Sequence, residues 1–215
     1  MPFNDASKNV MLDALDESAS VITHIGLHTL TDPGTGTNAN AGEATGGSPA
    51  YARQAVTWGA AAAGLKSNTG ALTFDVPAGT YAYFTYFNAV TGNTSNYRGY
   101  APFGGTVKGF AEVNAAGVTA DTIYSSAHGL VNGDRVMVFN VFAESLPTGL
   151  TEGTIYFVVG ATTDSFQVST TSGGSAVDIT AVGEMFFQKV IAEVFGAQGQ
   201  VTVAIGALVL DATAM

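Results

Sequence analysis

Ala71-Leu72-Thr73-Phe74-Asp75-Val76-Pro77-Ala78-Gly79-Thr80-Tyr81-Ala82-Tyr83-Phe84-Thr85-Tyr86-Phe87-Asn88-Ala89 decides how the rest of the chain is read. Leu72, Phe74 and Val76 alternate with Thr73 and Asp75, the period of a strand with one buried face. Pro77-Ala78-Gly79 is turn chemistry, with proline fixing one backbone angle and glycine tolerating the reversal. Residues 80–89 then carry aromatic side chains on both faces, as a strand covered on two sides does. Strand, short turn, strand is the grammar of a β-sandwich or barrel.

The same grammar extends outward in both directions. Residues 21–29 read as a strand, with Val21, Ile25 and Leu27 on one face and Ile22, His24, Gly26 and His28 on the other. Residues 51–58, Tyr51-Ala52-Arg53-Gln54-Ala55-Val56-Thr57-Trp58, read as another. Residues 31–49 lie between them. This stretch holds Asp32-Pro33-Gly34 and further glycines among Thr, Asn and Ala, which predicts a long surface loop of the kind that mediates contacts. Ahead of all this stands the best helix signal, residues 6–16. Asn4 or Asp5 can cap it, and Val10, Met11, Leu12, Ala14 and Leu15 form its apolar face. So short a helix is marginal without packing, so a docking role is expected. The predicted assembly contacts are Val10, Met11 and Leu15 on the helix and Asp32, Pro33 and Gly34 in the loop.

Past residue 110 the organisation changes. Asn114-Ala115-Ala116-Gly117 reads as a linker, followed by short strands at 121–125, 135–142, 154–159, 165–169 and 176–180. Long alternating strands resume at 190–195 and 201–210. Phe110-Ala111-Glu112-Val113 and Ile191-Ala192-Glu193-Val194 echo one another across this block. The expectation is an insertion: a β-sandwich or jelly-roll-like host over 1–113 and 187–215, with a small β-barrel-like domain at 114–186. Such insertions are tolerated where the two ends of the host chain lie close together.

Composition narrows the function classes. The chain has 215 residues, a formal charge of −10 and no cysteine. That removes disulfide scaffolds, thiol catalysis and cysteine-based metal sites. Seven Lys+Arg against seventeen Asp+Glu, with no basic run, argues against a nucleic-acid surface. No apolar run is long enough to span a bilayer, and Met1-Pro2-Phe3-Asn4-Asp5 has no secretory-leader character, so no membrane insertion is expected. Only 11% of residues are charged while 47% are hydrophobic, a balance suited to a surface that other subunits cover.

The search for reaction chemistry returns little. There is no Gly-x-Ser-x-Gly elbow and no glycine-rich loop opening a helix. Asp13, Asp16 and Glu17 lack the spacing of a calcium loop and read as a solvated helix face. His24 and His28 share a strand face about 13 Å apart, too far to hold one metal within a chain, and read as partly exposed strand residues. His128 reads as a hydrogen-bonded turn residue. No enzyme activity, cofactor or metal is expected. Trp58, the only tryptophan, should anchor a core with its N–H satisfied. Arg53, on the Tyr51 face, could lie over a tyrosine ring or pair with an acid.

Leu27-His28-Thr29, Asp32-Pro33-Gly34, Gly46-Gly47-Ser48-Pro49-Ala50, the 51–58 segment with Gly59-Ala60, Asn68-Thr69-Gly70 and Ile205-Gly206-Ala207-Leu208-Val209-Leu210-Asp211 resemble a family of tailed-phage virion proteins of the tail fibre or minor tail type. Tyr51, Arg53 and Trp58 are its specific signature. The middle block, with His128-Gly129-Leu130, Gly133-Asp134 and Gly153-Thr154-Ile155-Tyr156, resembles a small β module of phage structural proteins, which typical members of the first family lack. The resemblance implies a virion location, assembly in the host cytoplasm, and partners that are copies of the chain, trimeric as in fibre-like proteins, together with other virion proteins. Two other roles fit the same fold: capsid-surface decoration, and recognition of a host receptor or carbohydrate on the cell surface.

Overall fold

The computed structural model describes residues 4–15, 21–30, 42–92, 95–141 and 145–212. Among these residues the chain is all-β apart from two short helices, and it divides into two compact units. One comprises residues up to Ala101 and from Glu193 onward; the other is Pro102–Ala192.

In the first unit the order is α1 (Asp5–Asp13), β1 (His24–His28), β2 (Gln54–Ala55), β3 (Leu65–Ser67), β4 (Leu72–Val76), β5 (Gly79–Tyr81), β6 (Tyr83–Phe87) and β7 (Tyr97–Pro102). A four-stranded antiparallel sheet runs β2-β1-β6-β7. Ile25, Leu27, Tyr83 and Phe87 from it are fully buried, as are Phe74 and Val76 of β4. The strand expected over 80–89 is thus two strands, interrupted at Ala82, with Tyr83 and Phe87 both turned inward. Residues 51–58 are mostly not a strand. Only Gln54 and Ala55 join a ladder; Val56 still donates to Thr23, but Thr57 already accepts from Thr69. The segment crosses from one set of backbone partners to another, so neither ladder grows long.

The second unit holds β8 (Gly104–Val113), α2 (Ala115–Ala120), β9 (Ile123–Tyr124), β10 (Arg135–Asn140), β11 (Ile155–Val159), β12 (Ser165–Ser169) and β13 (Gly183–Val190). These strands close into a barrel in the order β10-β11-β12-β9-β8-β13. Its interior is Val136, Val138, Val158, Phe166, Met185 and Phe187 with their neighbours. The boundaries expected at 114 and 186 fall inside this unit. β8 was expected in the host and the expected cut at 186 divides β13, but the two strands pair with each other and close the barrel. Alternation reports a buried face; it does not report the partner. The Asn114–Gly117 stretch is no linker either. Asn114 caps α2, accepting from the Gly117 amide, and α2 ends on Asp121 in the left-handed region. Residues 176–180 form no strand. Ile179 is buried there, its amide donating to the Asp121 carboxylate at 2.9 Å.

The chain re-enters the first unit as β14 (Glu193–Phe195), β15 (Gly199–Val203) and β16 (Val209–Asp211). These pair antiparallel with β5, β4 and β3 in turn. The returning arm therefore retraces residues 65–81 backwards as three two-stranded ribbons. Asn68, 1% exposed, ties the arms together: its side-chain amide donates to Gly70 and Ala204, and its carbonyl oxygen accepts from the Leu208 amide.

Candidate functional site

Segment 42–44 lies along the end of β1: Thr29 donates to Gly42, and Ala44 to Leu27. This sets Glu43 beside Arg53, which directly precedes β2 on the same edge of β1, opposite β6. Arg53 Nε and Nη2 donate to the two Glu43 oxygens at 2.7 and 2.8 Å, a bidentate pair. Nη2 also donates to the Gly92 carbonyl, and Nη1 to that of Ala89. The guanidinium lies flat over the Phe87 ring, 3.3 Å from its centroid. Of the two expectations for Arg53 the acid pair is observed, and the ring beneath it is Phe87 where a tyrosine was anticipated. Tyr51 accepts from the Leu27 amide and donates to Glu43 at 3.4 Å. Burial, then the Glu43 charge, pushes the Tyr51 hydroxyl above the ordinary phenol range.

This network holds two loops, 42–53 and 89–92, around a cleft of about 350 Å³ lined by Glu43, Thr45, Tyr51, Arg53, Val90 and Thr91. The guanidinium pairs the carboxylate, and burial favours the protonated hydroxyl. Gly26 makes the room: a Cβ there would stand 2.8 Å from Thr85 Oγ1 and 3.1 Å from Glu43 Oε1. Trp58 is buried, and its indole N–H donates to the Ile22 carbonyl at 2.8 Å.

No family model, curated protein or solved structure matches the chain. The residues alone carry the functional reading.

The expected contact residues fall in different places. Asp32, Pro33 and Gly34 lie outside the described residues. In α1, Asn4 is the cap, accepting from the Ser7 amide. The helix ends at Asp13, ahead of the expected residue 16, and Leu15 is half-buried. Leu12 packs inward, but Val10 and Met11 point outward at 70% and 40% exposure. The docked face is the polar one. Asn9 accepts from the Gly64 amide, and Asp13 accepts from Lys66 Nζ at 2.6 Å and from the Ala61 amide. Those bonds, Lys66 first, hold the Asp13 carboxyl below its ordinary value of 3.8. Asp13 is thus a docking residue, where the sequence suggested a solvated face.

His28 is fully buried, facing Thr85 Oγ1 at 3.1 Å, which corrects the partly exposed expectation. His24 is half-buried. His128 takes the Leu130 amide on Nδ1 and stacks near Phe166. Among the described residues no group of three or more His, Asp or Glu could hold a metal ion, and no helix is long and apolar enough to cross a membrane.

Sequence reading singled out Tyr51, Arg53 and Trp58 but missed Glu43, Gly26 and Asn68. Glu43 had one available signal. It and Asp32 are the only acids between residues 31 and 49, and Arg53 needed one.

Proposed function

We propose that this chain is a non-enzymatic structural subunit of a tailed-phage virion, associated with the tail or its tip, acting through contacts with copies of itself and neighbouring virion proteins. One observation carries the proposal. A surface with few charges leaves Val10, Val194 and Ile205 about two-thirds exposed, at 70, 69 and 67%. Isolated exposed apolar side chains are ordinary; in a chain with only 11% charged residues they favour cover by other subunits. The resemblance of residues 46–60 to tail-type virion proteins supplies the setting. The Arg53 network supports it as a staple that fixes surface loops.

The experiment is quantitative mass spectrometry of purified particles, with immunogold labelling. Presence at fixed, low copy number with label on the tail is the expected result. High copy number with label over the shell would replace tail with capsid decoration. Absence from particles would overturn the virion reading.

A further inference from the structure

The barrel's outer face carries an ordered pattern that its own core does not use. Ala111, Met185 and Phe187 point into the barrel core, so by alternation Phe110 and Phe186 point out. They are paired directly across β8 and β13, with ring centroids 6.0 Å apart at an edge-to-face angle. Phe139 of β10 stands opposite Phe186 in the next ladder. The result is an aromatic row across three adjacent strands, with Phe110 and Phe186 46% and 41% exposed.

The rows on either side differ in charge. On one side Glu112 and Glu184 are paired; on the other, Lys108 is paired with Gln188. Lys108, Glu112 and Glu184 are exposed. An acidic row, an aromatic row and a basic-polar row therefore follow one another along the strands.

We propose that two copies of this chain pack these faces together about a two-fold axis running along the aromatic row, across the strands. That operation lays Phe110 on the partner copy's Phe110 position and Phe186 on its Phe186 position. It also turns each acidic row onto the other copy's basic-polar row, so Glu112 meets Lys108 twice. A two-fold axis along the strands would instead set Glu112 against Glu184 in both places. The charge pattern selects the first arrangement and names the occupant as a second copy, since an isologous contact must be self-complementary. The aromatic row crosses three strands and the charged rows two, since Met137, beside Phe139 on the outer side of β10, is fully buried; so small a patch, about 14 by 10 Å at most, belongs with small, weak interfaces. It is a property of the isolated chain and stands apart from placement in a virion.

The test is sedimentation equilibrium of the full chain over a concentration series up to about 1 mM, the range a weak contact requires. A reversible monomer–dimer equilibrium is expected. Lys108→Glu places acid against acid at both symmetry-related positions and should weaken association about tenfold or more. Glu112→Lys should do the same. The double variant K108E/E112K exchanges the two charges and should restore it. Phe186→Ser should abolish association, with thermal unfolding confirming that each variant is folded. A monomer at every concentration, a dimer unmoved by the single variants, or a double variant as weak as the singles would each overturn the proposal.

Discussion

Arg53 is tightly constrained, because its charge is buried and its partners come from the 42–44 segment, β6 and the loop after it. Glu43→Gln removes the bidentate carboxylate that faces that charge. Breaking one side of a buried pair costs about 3 kcal/mol or more, so the denaturant midpoint should fall by a corresponding amount with the slope unchanged. Gly26→Ala attacks the same network sterically. The new methyl meets Thr85 and Glu43 inside a packed sheet, and about 1–3 kcal/mol of destabilisation is expected in the same assay. His24 gives the network a pH signature. Burial first, then the Arg53 charge, holds its pKa below the ordinary value of 6.5. The unfolded chain takes up that proton first. The associated stability is therefore present in full above pH 6.5 and declines as pH falls through 6.5 towards the folded value. His24→Gln should flatten that part of the stability–pH profile.

At the scale of elements, α1 is held by polar bonds from its inner face and leaves apolar side chains outside. Asp13 ionises below 3.8 in the fold, so its bond to Lys66 is intact above that pH and is lost as pH falls through the lower folded value. Hydrogen exchange should show α1 amides losing protection at acid pH while β1 and β6 keep theirs, and Asp13→Asn should loosen α1 at neutral pH. Why the helix docks this way was not legible beforehand. The spacing of Val10, Met11, Leu12, Ala14 and Leu15 predicts one apolar face, but Leu12 is buried, Val10 and Met11 are exposed and Leu15 lies past the helix end, because spacing does not say which side meets the chain. The cap at Asn4 was legible, since a side-chain oxygen ahead of a helical run has one local use. Strands with clean alternation, such as β4, were legible to within a residue. Residues 51–58 were not, because their aromatic and β-branched content reflects burial of Tyr51 and Trp58 side chains while the backbone changes partners.

For the whole molecule, the all-β class followed from turns and alternation, and a middle block with its own character was visible. Its expected edges, 114 and 186, lie inside the observed ones at 102 and 192, leaving out β8 and half of β13. Ladder partners more than 70 residues apart, such as Phe110 and Phe186, leave no local trace. The difference is measurable. Residues 102–192 expressed alone should fold cooperatively as a closed barrel. Residues 114–186 lack all of β8 and the second half of β13, so the six-stranded barrel cannot close, and they should show no cooperative thermal transition. Equal behaviour of the two fragments would contradict the observed boundary.

The barrel's way in and way out has a mechanical consequence. The chain enters at Gly104 and leaves at Val190, and these two residues are the terminal rung of the β8–β13 ladder, with Ile191 donating to Phe103 just beyond. Tension between the flanking segments would load that rung first and then each successive rung in turn. A sheet peeled in this way yields at low force, one bond after another, whereas strands sheared along their length resist together. Under a pull along the polypeptide the barrel would give way early and pay out slack, sparing whatever holds the ends.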